Sequence, residues 1–336
     1  MPSTSTVFTL NNGVNIPAVG FGTFAGEDFE NGACYRAVKQ ALEVGYRHID
    51  TGWFYKNEEE VGDAIHDFLK DNQNVKRADI FVTTKLWSHL WDPEDVEWSL
   101  QDSLRKLKLD YADLFLIHWP FAIEKIDNNT MKETGLESPL WVINEEAMNN
   151  QQQTWRAMEK LNRAGKARAI GVSNWLIPML EDMLSWAEIK PTVNQVELHP
   201  FLAQDDLLQY CREHDILLEA YSPLGSQNQT NTMTNDSWST GGERVSENQL
   251  LNEVAERSGN TLAQVLIAWG VRRGHVVLPK SATPSRIESN FKDIDLSDED
   301  FEAVNEMARR RRYRFINMKK EFGIDLWPED SARQGT

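Results

Sequence analysis

Eight short apolar runs separated by amphipathic windows constrain this chain of 336 residues more than any other feature. The runs are Ala18–Gly22, Tyr46–Thr51, Ile80–Leu86, Ala112–Trp119, Ala167–Val172, Thr192–Leu198, Ile216–Tyr221 and His275–Pro279. They read as near-continuous Val, Ile, Leu and Phe, the pattern of parallel strands covered by helices. The windows between them are Asn31–Val44, Glu58–Lys70, Pro93–Leu107, Gln151–Ala164, Ile177–Ala187, Asp205–His214 and Thr261–Arg273. Asp92-Pro93 offers a capping acceptor followed by proline in the first helical turn, and Gly165 and Gly274 stand where helices should stop. Val7–Leu10, Asn11-Asn12-Gly13 and Val14–Ile16 read as a hairpin ahead of the first unit. The alternation predicts an α/β chain folded as a closed (β/α)8 TIM barrel, not an open doubly wound sheet. One domain is expected over residues 1–336, with a core of about 12–305 and a tail of 306–336. Three polar segments break the rhythm: Phe121–Asn150, Ser226–Glu247 and the tail from Arg309. Loops of that length tend to carry function. They are expected over the carboxyl face of the strands, choosing the substrate, against the alternative of surface loops without a role.

Formal net charge is −17, which argues against nucleic acid or an anionic membrane as partner. Arg309-Arg310-Arg311-Arg312 with Arg314 reads as a solvated helix end leading into a tail. The opening residues lack a basic start and long apolar run, and no stretch reaches the roughly 18 apolar residues of a membrane span, so a cytoplasmic protein is expected. Cys34 and Cys211, the only two cysteines, read as buried free thiols. A monomer is expected, a dimer being the alternative. The sequons at Asn128, Asn228 and Asn235 mean little without a secretion route.

Chemistry gathers where the runs end. The second run closes on Arg47-His48-Ile49-Asp50-Thr51, the third on Thr83-Thr84-Lys85, the fourth on Ile117-His118-Trp119, and Tyr55 lies five residues beyond Asp50. Barrel enzymes assemble their sites at these carboxyl ends. Carbonyl reduction needs a hydride donor and an acid for the developing alkoxide. A tyrosine keeps its proton at neutral pH, a neighbouring Lys stabilises its phenolate, and a carboxylate keeps a buried Lys charged. Tyr55, Lys85 and Asp50 supply that relay, leaving His118 to hydrogen-bond the carbonyl oxygen. Lys280 and Arg286 flank a helix start, Thr283-Pro284-Ser285, directly after the last run, a local phosphate site on an acidic chain.

The string Gly45-Tyr46-Arg47-His48-Ile49-Asp50-Thr51, with Tyr55-Lys56-Asn57-Glu58 and Val61-Gly62, resembles the signature of the aldo-keto reductases. So do Gly171-Val172-Ser173-Asn174, Asn194-Gln195-Val196-Glu197, Tyr221-Ser222-Pro223-Leu224-Gly225 and Leu278-Pro279-Lys280-Ser281, in order from about Asn12 to Asp300. The resemblance implies a reductase of aldehydes, aldoses or ketones that uses NADPH, with NADH a weaker alternative. It makes Tyr55 the general acid supported by Lys85 and Asp50, and His118 the orienting group. Ser173, Asn174 and Gln195 would hold the nicotinamide carboxamide, and Tyr221 would stack on the ring. Ser222, Pro223, Leu224, Gly225 and Ser226 would fold over the pyrophosphate. Lys280, Ser281, Ala282, Thr283 and Arg286 would grip the adenosine 2′-phosphate, Asn290 would reach the adenine, and Gly22 and Thr23 would edge the cleft. Phe24, Trp53, Trp87 and Trp119 are read as lining an apolar substrate pocket with Tyr55 and His118; core packing is the other reading. Departures from the family pattern are Gly52 in place of Ala, Ser289 in place of an acid and Phe24 in place of Trp.

Gly20-Phe21-Gly22-Thr23-Phe24-Ala25 imitates a dinucleotide fingerprint, but acidic Glu27, Asp28 and Glu30 follow it. Gly171-Val172-Ser173 lacks the second glycine of a nucleophile elbow, since Trp175 stands there. No histidine pair has metal-ligand spacing, so no metal is expected; His48, His66, His89, His199, His214 and His275 read as structural. Two other functions stay open: an NADPH-binding, redox-sensing subunit with little turnover, and a reductase committed to one biosynthetic ketone.

Overall fold

The computed structural model describes residues 4–24, 32–125, 141–225 and 243–330. Hairpin strands β1 (Val7–Thr9) and β2 (Asn15–Pro17) pair antiparallel. Eight parallel strands follow: β3 (Phe21–Gly22), β4 (His48–Asp50), β5 (Phe81–Leu86), β6 (Ala112–Ile117), β7 (Ala167–Ser173), β8 (Val193–Glu197), β9 (Leu217–Tyr221) and β10 (Val276–Val277). Each lies inside its anticipated run except β7, which extends one residue beyond it to Ser173. They pair in chain order, and the first run closes on the last: Gly20 N donates to Val277 O at 2.9 Å and Val277 N to Ala18 O at 2.9 Å. The sheet is therefore a closed barrel without an unpaired edge.

Parity along each strand divides the core in two. Phe81, Leu114, Leu116, Ala169, Val193, Val276 and Leu278 point inward and pack on Leu10 and Ile16 beside the hairpin, which plugs the amino end. Val82, Phe115, Ile117, Ile170, Val172 and Leu218 point outward under the helices. The same parity turns Asp50, Lys85, Ser173, Gln195, Glu219 and Tyr221 into the barrel. One apolar layer below and polar residues above follow from nothing more than a period of two.

The helices follow the anticipated windows closely, as in Pro93–Leu107 and Gln151–Arg163. Asn31 lies outside the described residues. Asp92 precedes its helix without a side-chain capping bond, contrary to expectation, while Pro93 does occupy the first turn. Helices Glu145–Asn149 and Gln249–Ser258 were not anticipated. Gly62 is required by close packing: a Cβ there would lie 2.6 Å from Lys106 O. Most of the two long internal segments, with Asn128, Asn228, Asn235 and Ser226, lie outside the described residues.

The arginines of the basic cluster are ion-paired within the chain. Arg309 and Arg310 pair with Glu302 and Glu306, Arg311 with Glu243, and Arg312 with Glu329 and Asp330. Arg314 corrects the solvated reading. It is buried, bonds Asp330 Oδ2 at 2.9 Å and lies 3.8 Å over the Trp327 ring. The tail then folds back over the carboxyl face, held by Glu197, whose oxygens accept from Phe315 N at 2.7 Å and Ile316 N at 2.9 Å.

Candidate active site

The inward-facing ends of β4 and β5 bring Asp50 and Lys85 together. Lys85 Nζ donates to Asp50 Oδ1 at 2.7 Å and Oδ2 at 2.8 Å, to Thr51 O at 2.8 Å and contacts Tyr55 Oη at 3.0 Å. Lys85 is fully buried, and an ammonium in that position persists only with such a shell. Burial alone would lower its pKa, yet the pull of Asp50 and Tyr55 holds it above the ordinary lysine value. Tyr55 sits in a short 3-10 turn, Trp53–Tyr55, that follows β4 and aims the ring over Lys85. Burial pushes its phenol up to about 12, outweighing the lowering by Lys85. The phenol thus holds its proton firmly in the resting protein.

His118, just past β6, meets the Tyr55 ring edge-on at 5.6 Å. Burial, with a smaller push from Lys85, holds its imidazole neutral. Its Nδ1 is buried without a hydrogen-bond partner among the described residues. A buried nitrogen left this way marks a place where a ligand atom would be accepted.

On the other wall, Ser173 Oγ donates to Gln195 O at 2.7 Å, Asn174 Nδ2 to His118 O at 3.1 Å, and Tyr221 Oη to Asn174 Oδ1 at 2.8 Å. Asn174 and Ser222 hold positive φ, 67° and 50°, a strained state that clusters at functional turns. Gly225 also has positive φ, 74°, and a Cβ there would meet Val245 Cγ2 at 2.3 Å. Gly22 and buried Thr23 sit at the β3 end, where Gly22 N donates to Pro279 O at 3.1 Å. Beyond β10, Thr283 N donates to Ser281 Oγ at 3.0 Å, Ala282, Thr283 and Arg286 are exposed, and Asn290 is buried.

The aromatic residues divide. Phe24 lies 5.0 Å from Tyr55, and Trp87 lies 5.1 Å from His118. Trp119 stacks toward Phe121 at 5.7 Å. Trp53 goes elsewhere: its indole donates to Asp102 Oδ2 at 3.1 Å and packs on His89 and Trp98. Phe54 takes the place expected of it, stacked 3.6 Å from Trp87. Sequence reasoning also missed Trp141 and Phe322, whose rings are 4.7 Å apart, with Phe322 4.4 Å from Phe121. The missed Glu219 left a signal: it is the one charged residue of an apolar run, two positions from Tyr221 and therefore on the same inward face.

An ion-paired lysine under a tyrosine at the mouth of a closed parallel barrel defines a class of carbonyl-reducing barrel. The aldo/keto reductase family model matches residues 18–309, and the chain belongs to that family. It is 56% identical over 326 residues to glycerol 2-dehydrogenase (NADP(+)) of Hypocrea jecorina, covering 97% of this chain and 99% of that protein. The enzyme of the same name from Saccharomyces cerevisiae is 41% identical over 322 residues, 93% and 95% of the two chains. Aldo-keto reductase family 1 member A1 of Gallus gallus is 41% identical over 307 residues, 90% and 89% of the two chains. No helix among the described residues is long and apolar enough to cross a membrane.

Proposed function

We propose that the protein is an NADPH-dependent carbonyl reductase, single-domain, monomeric and cytoplasmic, acting on small hydroxylated aldehydes and ketones. The observation that carries the reading is Lys85 Nζ, 3.0 Å from Tyr55 Oη while paired to Asp50 at 2.7 Å. When bound, NADPH supplies the hydride that converts the carbonyl carbon to an alcohol. Tyr55 transfers its proton to the carbonyl oxygen, and Lys85 compensates the charge left on the phenol. Neutral His118 donates to the same oxygen and fixes its direction. Ser173, Asn174, Gln195 and Tyr221 fit the nicotinamide end, the turn from Ser222 to Gly225 fits the pyrophosphate, and Lys280, Ser281, Thr283 and Arg286 fit the 2′-phosphate.

Support for a hydroxylated substrate comes from the relatives named for glycerol and from the pocket itself. The indole nitrogens of Trp87 and Trp141 are buried without a partner among the described residues, and their rings are 5.7 Å apart. Buried donors of this kind favour a ligand with oxygens to offer. Oxidation of glycerol at its middle carbon gives dihydroxyacetone, so the reverse reduction is the reaction to measure. Steady-state rates with dihydroxyacetone, glyceraldehyde, benzaldehyde and an aliphatic ketone should rank the hydroxylated pair first in kcat/KM. Phe322→Ala should change that ranking, since the tail's Phe322 packs on the rings of Trp87 and Trp119. NADPH binding with no consumption on any carbonyl would favour a redox-sensing subunit; the assembled relay favours the enzyme.

Arg286→Ala should weaken NADPH binding by about 1.5–3 kcal/mol, the range for a charge-assisted hydrogen bond, and NADH binding much less. Fluorescence titration with both cofactors checks this. Equal losses would remove Arg286 from the 2′-phosphate site.

A further inference from the structure

The barrel interior holds a carboxyl that the chemistry above does not use. Glu219 is fully buried, and its Oε2 accepts from Gln195 Nε2 at 2.7 Å. The same nitrogen donates to Asp50 Oδ2 at 2.8 Å. An amide nitrogen carries two hydrogens, so two acceptors use both and lock the amide in one orientation. Gln195 is thereby a strap between two carboxyls.

The other oxygen of Glu219 locates a proton. Oε1 is buried with no hydrogen-bond partner among the described residues and lies 3.4 Å from His48 Nε2. His48 Nδ1 faces Pro17 O at 3.3 Å, and a carbonyl only accepts, so Nδ1 carries the ring proton. Burial keeps the ring neutral, its pKa down to about 3. Nε2 is then a bare acceptor, shared with the Thr83 hydroxyl at 3.3 Å. An ionised Glu219 would set two lone pairs against each other there, whereas a protonated one makes a hydrogen bond. Lys85 meanwhile spends its contacts on Asp50, Thr51 and Tyr55. Two carboxyls strapped by one amide in a dry interior do not both keep a charge.

We propose that Glu219 is a positioning residue, a neutral acid that, through Gln195, holds Asp50 and with it the Lys85–Tyr55 pair. The role rests on reading Tyr55 as the proton donor. The groups facing Glu219 are Asp50, Lys85, Tyr55, His48, Thr83 and Gln195. Burial, with Asp50 adding, pushes the Glu219 carboxyl up to about 8. Above that pH a second anion stands beside Asp50, and its field raises the Tyr55 phenol further, making it a poorer acid. Reduction should therefore weaken as pH rises through about 8.

Glu219→Gln tests this, because the amide is neutral, accepts from Gln195 through its oxygen and donates to His48 through its nitrogen. Its kcat/KM for benzaldehyde at neutral pH should stay within about threefold of wild type, since the hydrogen bonds persist. Its NADPH dissociation constant should match, and the loss of rate above about pH 8 should disappear. In cofactor-free wild-type protein, infrared difference spectra against the variant should show a protonated carboxylic-acid carbonyl band at neutral pH that vanishes in alkali. A missing band, or an unchanged alkaline limb in Glu219→Gln, would overturn the proposal. So would a folded variant, with unchanged melting temperature, that lost more than about tenfold in rate, for then Glu219 acts as an anion. Wild-type protein that reduced no carbonyl would instead sink the reductase reading, and the infrared band would still decide the Glu219 proton.

Discussion

Replacing Tyr55 by Phe is expected to lower kcat by about 10²–10⁴, the usual contribution of a positioned general acid, while leaving NADPH binding nearly intact. The change removes one oxygen and keeps the ring, so the contacts with Phe24 and His118 survive. Lys85 keeps three of its four acceptors, two on Asp50 and one on Thr51, so the buried charge stays compensated. Stability should accordingly change little. Single-turnover rates and cofactor fluorescence, measured on the same preparation, separate the two effects. Wild-type turnover in Tyr55→Phe would remove it as the acid and shift attention to His118, which burial keeps neutral and poorly suited to donate a full proton.

Lys85→Met should be damaging in a different way. Asp50 would remain buried with only Gln195 donating to it, and breaking a buried pair from one side costs about 3–5 kcal/mol. The Asp50 carboxyl already lies above the ordinary carboxylate range, chiefly through burial and despite Lys85 and Gln195. Losing Lys85 raises it further. A group whose folded pKa exceeds its unfolded value costs nothing below the unfolded one, about 3.9 for Asp, and costs more as pH rises toward the folded one. Wild type shares that cost up to its own raised Asp50 pKa, so the stability deficit of Lys85→Met should grow only above that pKa, as pH rises toward neutrality. Urea unfolding of both proteins across that range checks it. A constant deficit would mean that Asp50 is uncharged in the wild-type barrel as well. Turnover should fall together with that of Tyr55→Phe, and the double variant should be no worse than the poorer single one, because the two residues act as one unit.

Much of the fold was legible because barrel strands have a coarse signature. A run of Val, Ile and Leu between two amphipathic windows needs only burial on both faces, and all eight strands fell on their runs, β7 alone overrunning by one residue. Asp50, Lys85 and His118 stood out because an ionisable residue at the end of such a run has no apolar reason to be there. Boundaries were less legible. Asp92 looks like a cap, yet its carboxylate takes no capping bond, since a backbone geometry suited to the position does not oblige the side chain to turn inward. Trp53 and Phe54 are adjacent aromatics in one turn, and nothing local says which faces Trp87 and which faces Asp102.

Sequence by itself determined the closed barrel, the hairpin ahead of it and the strand ends that carry Asp50, Lys85 and His118, because period, length and charge placement are properties of neighbours along the chain. Tertiary structure alone decided what depends on contacts between distant residues. Arg314 looks like one more solvated arginine until Asp330 and Trp327 fold onto it, and Phe322 lies more than two hundred residues from the Trp87 and Trp119 rings it covers. Glu219 and Asp50 are similarly remote, and only barrel closure brings both within reach of one amide of Gln195. The charge state of a buried carboxyl is set by what surrounds it, and those surroundings exist only once the strands have closed.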